Sequence, residues 1–113
     1  MGAEMRRTEL AEGILLLSKL SAYLDELGKD ESASWIRKVM HDLQEGPSRK
    51  REVEICRDLG ESLNNGPGRI PDLYFASLDG KPDISRTNDY LETIRAVRRF
   101  ARHRVPPWSL FIV

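Results

Sequence analysis

Apolar residues recur along most of the chain at spacings of three and four, which is the pattern of helices with one face against a core. The first stripe predicts a helix from Thr8 to Leu27, with Thr8 as its N-cap and Gly28 as its stop. The stripe consists of Leu10, Ile14, Leu17, Leu20, Leu24 and Leu27. It is widened by Leu15, Leu16 and Tyr23. This helix is therefore expected to contact more than one neighbour.

Two further stripes predict a second helix over residues 30–45, capped by Asp30 or Ser32 and ended by Gly46-Pro47, and a third that starts at Ser48 and runs to residue 63. The link between the first two helices is short, so they should form an antiparallel hairpin. The third helix would carry Arg49-Lys50-Arg51 in its first turn, where cations oppose the helix dipole. A solvated basic loop is the alternative for that run.

A last helix is predicted over residues 85–104, capped by Ser85 or Thr87 and followed by a Pro-Pro pair. Before it, residues 64–68 form a Gly- and Pro-rich break, and residues 72–76 are either one short strand or an extended buried segment. The fold class is therefore mainly all-α. About four helices form one compact domain over residues 1–113, with 1–7 and 105–113 as terminal segments.

The charge balance excludes a global attraction to nucleic acid or to a membrane surface, because 18 basic residues match 18 acidic ones. No apolar run is long enough to cross a bilayer, and the single Cys56 suits a reducing compartment, so we expect a cytoplasmic protein. His41, His103 and Cys56 lie on different predicted helices, so no metal site and no cofactor is expected. No nucleophile motif is present, and the chain is not expected to be an enzyme.

Two charged clusters are candidates for binding a partner. The last helix contains Arg86, Arg95, Arg98, Arg99, Arg102 and Arg104 against Asp89 and Glu92, which is six minus two, or +4. The acidic cluster around the first hairpin contains Asp25, Glu26, Asp30 and Glu31. Both clusters have a simpler interpretation as solvated surface, and Arg98 and Arg102 are the basic residues we favour for contact.

The residues at the C-terminal end of the chain are apolar, with Trp108 followed by Leu110, Phe111, Ile112 and Val113. Apolar surface of this kind is rarely left in water, so it should be core, a homodimer seam or a partner site. Trp35 lies beside the stripe of the second helix, where a partly buried aromatic at a helix margin competes with an exposed binding anchor.

Residues 63–75 resemble a short motif of uncharacterised small bacterial helical proteins, in which a Gly-x-Gly turn precedes Asp-Leu and a short apolar segment. Four residues match this motif, namely Gly66, Gly68, Asp72 and Leu73, whereas Asn65, Arg69 and Pro71 depart from it. In this interpretation the two glycines set the backbone geometry of the turn and Asp72 braces it. Some proteins of this kind look like immunity proteins, which neutralise bacterial toxins by direct binding.

The resemblance and the composition together predict a cytoplasmic immunity protein. Its partner would be a bacterial toxin, which this antitoxin-like inhibitor would neutralise by occluding the active site. The residues expected to contact the toxin are Trp35, Asp72, Tyr74, Arg98, Arg102 and Trp108. The alternative is a nucleic-acid-binding regulator that uses the arginines of the last helix. The C-terminal apolar residues leave a homodimer open as well.

Overall fold

The computed structural model describes residues 2–63, 73, 75–76 and 79–105, with side chains from Thr8 onward. It contains four helices, which are α1 (Gly2–Glu26), α2 (Asp30–Gln44), α3 (Arg49–Ser62) and α4 (Ile84–Arg104). This confirms the predicted all-α bundle. The described residues form no strand, and one isolated antiparallel bridge joins Ala76 to Pro82.

The ends of the first two helices follow the sequence signals closely. Gly28 and Gly46 have φ angles of 74° and 71°, a conformation that glycine adopts without a Cβ clash. After α1, the N–H of Lys29 donates to the carbonyl of Leu24 at 2.8 Å, and the N–H of Gly28 donates to Asp25 at 3.0 Å. These two bonds form a Schellman motif, which satisfies the last carbonyls of α1 and turns the chain toward α2.

The N-terminal caps of α1 and α2 differ from the predicted ones, although α2 begins at Asp30 as expected. Thr8 is not an N-cap, because α1 already begins at Gly2, and the residues between the two are mostly strong helix formers. Lys29 occupies the N-cap of α2 without a side-chain cap, so neither Asp30 nor Ser32 fills this position. Asp30 instead lies in the first turn of α2, where its charge is favourable to the helix dipole.

The predicted start of α3 at Ser48 is confirmed, and the structure shows that the Ser48 hydroxyl caps the helix by accepting the N–H of Arg51 at 3.3 Å. The basic run is therefore helical and not a loop. Ion pairs offset the unfavourable dipole, since Arg51 lies 3.5 Å from Glu54 and 3.8 Å from Asp42, and Arg49 lies 3.9 Å from Glu52.

The cap of α4 is Asp83, whose carboxylate accepts the N–H of Arg86 at 3.1 Å, so the prediction of Ser85 or Thr87 was wrong. Thr87 instead accepts the N–H of Phe75 at 2.9 Å, and the carbonyl of Phe75 accepts the N–H of Asp83 at 2.8 Å. The extended residue Phe75 is thereby attached to the first turn of α4.

The core lies between α1 and its neighbours, because α1 packs against both α2 and α4, and α4 packs against α3. Its fully buried members include Leu17, Leu20, Leu24, Ile36, Leu43, Leu59, Tyr90 and Val97. Tyr23, Phe75 and Tyr90 meet edge to face, with ring centroids 5.2 to 5.8 Å apart. These rings close the core where the segment before α4 meets α1.

α4 packs closely on the backbone of α1 at Gly13, a buried glycine in the middle of α1. A Cβ atom at this position would overlap the ring of Phe100. Glycine costs roughly 1 kcal/mol in a helix interior relative to alanine. The packing of the Phe100 ring against bare backbone is the physical reason for its presence here.

We expect Gly13→Ala to lower the free energy of unfolding in the native background, because the Phe100 ring must move away from the new methyl group. In a Phe100→Ala background, the same change should raise stability by up to roughly 1 kcal/mol, through helix propensity alone. Chemical denaturation of the four chains measures this difference. An equal effect of Gly13→Ala in both backgrounds would show that the ring does not constrain this position.

Candidate protein-binding groove between α1 and α4

A shallow groove of about 410 Å³ lies between the N-terminal half of α1 and the C-terminal half of α4. We call it the α1–α4 groove. Its lining combines three kinds of side chain from the two helices. They are the apolar or small residues Gly13, Leu16, Ala96 and Phe100, the acidic residues Glu9 and Glu12, and the basic residues Arg99, His103 and Arg104.

The antiparallel packing of α1 and α4 positions these side chains. Near the C-terminal end of α1, Glu26 forms an ion pair with Arg86 in the first turn of α4. Near its N-terminal end, Glu9 lies 3.5 Å from Arg104 in the last turn of α4. The helices therefore run side by side in opposite directions, and the glycine between these contacts permits the close approach that leaves Phe100 half-buried beside the groove.

The charges of the groove are mixed. Acidic side chains come from α1 and basic ones from α4, and Glu9 is already paired with Arg104. Glu12 and Arg99 are both exposed, and neither takes part in an ion pair with another described side chain. The groove thus presents one carboxylate and one guanidinium beside an aromatic ring.

Arg104 has a structural role that the sequence did not indicate. Its side chain is only 9% exposed and binds the carboxylate of Glu52, which is 16% exposed. The guanidinium also lies 5.2 Å from the centroid of the Phe100 ring. This contact joins α3 to the end of α4, and its partners lie 52 positions apart in the sequence.

The structure locates three of the residues predicted to bind a partner. Arg102 is exposed on the last turn of α4, and Arg98 is half-buried on the same helix and has an interaction partner. Trp35 is half-buried against the core, on α2 and away from the groove lining. The others lie outside the described residues, and they are Asp72, Tyr74, Trp108 and the turn glycines Gly66 and Gly68.

Much of the basic charge predicted for α4 is neutralised within the chain. Arg86 pairs with Glu26 and stacks on Phe75 at 4.5 Å, and Arg95 lies 3.8 Å from Glu92. Together with Arg104, three of the six arginines counted in the sequence therefore have acidic partners. The acidic cluster is reduced in the same way, because Arg37 pairs with Asp25 and Arg86 with Glu26.

Lys19, Tyr23 and Asp89 form a second polar contact between α1 and α4. The ammonium of Lys19 lies 2.9 Å from the carboxylate of Asp89, and the hydroxyl of Tyr23 donates to the same carboxylate. The bond from Tyr23, followed by the bond from Lys19, lowers the pKa of Asp89. The same bond, followed by burial, raises the pKa of Tyr23. The charged form of Asp89 is therefore the one that the fold stabilises.

The environment of the buried Cys56 does not favour a reactive thiolate. Burial, and then the charge of Glu52, raises the pKa of the Cys56 thiol to about 11, so little thiolate is present near neutral pH. Within the described residues, no group of histidine, cysteine and carboxylate side chains has the arrangement of a metal site. None of the helices in that part of the chain is both long and apolar enough to span a membrane.

Comparisons of the chain with protein-family models, with curated proteins and with solved structures gave no match. The resemblance to small immunity-like proteins stays a prediction. Function is therefore inferred from the residues of the α1–α4 groove and of the surface around it.

The sequence did not predict that Glu12, Gly13 and Phe100 lie together in one site. A glycine inside a strongly periodic helix was the available signal, since it costs stability unless packing requires it. Nothing in the sequence indicated that the residue opposite this glycine would be Phe100, because that pairing depends on how α1 and α4 align.

We expect Arg104→Met to lower the free energy of unfolding by up to about 3 kcal/mol, because it leaves the half-buried carboxylate of Glu52 with Arg49, 3.9 Å away, as its remaining described ion-pair partner. Glu52→Gln combined with Arg104→Met should recover most of this loss. Arg102→Met is the matched control on the exposed side of α4, where a change within about 0.5 kcal/mol is expected. Equal losses for the Arg104 and Arg102 variants in urea denaturation would contradict a structural role for Arg104.

The low pKa of Asp89 predicts a specific loss of stability in acid. The contribution of Asp89 to the free energy of unfolding is fully present above the pKa of an ordinary carboxyl group, which is about 4. It is lost as the pH falls below that value and through the lower pKa of Asp89 in the folded state. Asp89→Asn should therefore flatten the acid limb of a plot of melting temperature against pH, and Tyr23→Phe should do so partly. Parallel acid limbs for Asp89→Asn and the native chain would refute the assignment.

Proposed function

We propose that this chain is a protein-binding domain that inhibits its partner, in the manner of an immunity protein that occludes the active site of a toxin. The observation that supports this most is the composition of the α1–α4 groove. Arg99 and Glu12 are exposed there without ion-pair partners among the described side chains, beside the half-buried ring of Phe100. Arginine and aromatic side chains around apolar surface are typical of the energetic centres of protein interfaces.

The mixed charge of the groove favours a protein partner over nucleic acid. A phosphate backbone presents negative charge only, and it would meet Glu9 and Glu12 next to Arg99. A protein surface can offer a cation to Glu12 and a carboxylate to Arg99 at the same time. The pairing of Arg86, Arg95 and Arg104 within the chain further weakens the case for a polyanion.

In this proposal, inhibition is steric and the charges determine how the partner is recognised. Arg99 and Arg102 lie three positions apart on α4 and are both exposed, so they can attract an acidic partner surface. Toxins that act through carboxylates present such a surface at the active site. Leu16 and Phe100 supply apolar contact once water is excluded, which increases the strength of the charged contacts.

The test is a capture experiment in the native host with nuclease-treated extract and moderate salt, using the native chain and two charge-reversal variants. Arg99→Glu with Arg102→Glu, called the groove variant, alters Arg99 in the groove and Arg102 on the exposed surface of the same helix. Lys38→Glu with Lys50→Glu is the matched control, because it makes the same change in charge at exposed positions on α2 and α3. We expect one stoichiometric protein with the native chain and with the control, and at least about tenfold less with the groove variant.

The captured protein is then purified and its own activity is titrated with added chain. Loss of its activity at a one-to-one ratio, by the native chain and the control but not by the groove variant, supports the proposal. A partner that all three chains bind equally would place the interface elsewhere. Recovery of nuclease-sensitive material alone, with steep dependence on salt, would favour the nucleic-acid alternative.

A further inference from the structure

The outward face of α1 has an apolar pattern that no other described element covers. Four exposed residues lie on this face at spacings of four, three and four, which is the spacing of contact residues between paired helices. They are Ala11, Leu15, Ser18 and Ala22. We call these four residues the α1 seam. Leu15 is 70% exposed, which makes it one of the two large apolar side chains described as exposed. The faces of α1 toward α2 and α4 are already occupied.

The two flanks of the α1 seam differ in charge. On the flank toward α4, the exposed side chains are Glu12 and Lys19, seven positions apart and of opposite sign. On the other flank, Ile14 is half-buried and Ser21 is buried, and the exposed Asp25 beyond them is paired with Arg37 of α2. Because the charges on the two flanks differ, the surface can pair with itself favourably only in certain directions.

We propose that the α1 seam binds the α1 seam of a second copy of this chain, with the two helices antiparallel. In the symmetric register, Leu15 lies against Ser18 of the partner subunit, and Ala11 lies against Ala22 of the partner subunit. Each contact occurs twice because the interface is two-fold symmetric. The small residues let the helix backbones approach, and the two Leu15 side chains fill the space over the serines.

The charges of the flank support this direction. In the antiparallel register, Glu12 lies beside Lys19 of the partner subunit, and the reciprocal pair forms by symmetry. A parallel arrangement would set Glu12 and Lys19 against Ile14 and Ser21, so neither charge would gain an oppositely charged neighbour from these two residues. Lys19 also contacts Asp89 at 2.9 Å, and its ammonium has three donors, so it can serve both carboxylates.

The dimer surface borders the α1–α4 groove and shares Glu12 with it. Leu15 and Leu16 lie on opposite sides of Glu12 around α1, with Leu15 exposed on the seam and Leu16 lining the groove. Leu15→Glu therefore alters the seam without changing a residue of the groove, and Arg99→Glu alters the groove without changing the seam. These two substitutions distinguish a failure of the dimer from a failure of the inhibitory function.

The test is sedimentation equilibrium of the full chain over a range of concentrations, with melting temperatures measured to show that each variant is folded. We expect a reversible dimer for the native chain and more than about tenfold weaker association for Leu15→Glu. Ile84→Glu is the matched control, because Ile84 is also 70% exposed and lies on α4. It should leave the association unchanged.

Charge reversal tests the direction of pairing. Glu12→Lys and Lys19→Glu should each weaken the dimer, and the two changes together should restore association relative to either one, because the pair is re-formed with reversed signs. A chain that stays monomeric at all concentrations would overturn the proposal. A dimer that survives Leu15→Glu but is lost when residues 106–113 are removed would also overturn the proposal, since that result places the dimer interface at the C-terminal apolar residues.

Discussion

The antiparallel contact between α1 and α4 is the constraint on which the rest of this structure depends. It has three polar contacts along its length, from Glu9 to Arg104, from Lys19 and Tyr23 to Asp89, and from Glu26 to Arg86. Between the first two, Gly13 lets the ring of Phe100 rest on bare backbone. Because these contacts are spread over the full length of α4, they fix both the direction and the register of the two helices. α2 and α3 then complete the core on either side.

Pairing of charges within the chain decides which of them remain available for a partner. The sequence contains equal numbers of basic and acidic residues, and several that are close in space are far apart in the chain. Arg104 is the clearest case, because it lies among the arginines of α4 yet its side chain is buried against Glu52. Burial of such a pair is costly unless both charges are well matched, so Arg104 acts as part of the core. Arg99 and Arg102 are left as the exposed basic residues at this end of the helix.

α1 has a central place in both proposals because its apolar residues extend around its circumference. One side packs on α2, a second forms the groove with α4, and a third carries Leu15 into solvent. A helix that is apolar on so many sides is usually surrounded. The groove and the α1 seam are the two sides on which the described residues leave room for another molecule, and their different chemistry suits different occupants. The groove carries unmatched charges beside an aromatic ring, whereas the seam consists of small residues and one exposed leucine, Leu15.

The sequence by itself determined the four helices, the glycine stops after α1 and α2, and the start of α3 at Ser48. Each of these depends on residues within one or two turns of each other, so periodicity and capping chemistry were sufficient. Only the tertiary structure decided that Asp83 caps α4, that Arg104 is buried and that Phe100 lies on Gly13. These outcomes depend on residues tens of positions apart, whose alignment follows from the packing of whole helices and leaves no local pattern. The candidate site belongs to this second group, because its two sides come from opposite ends of the chain.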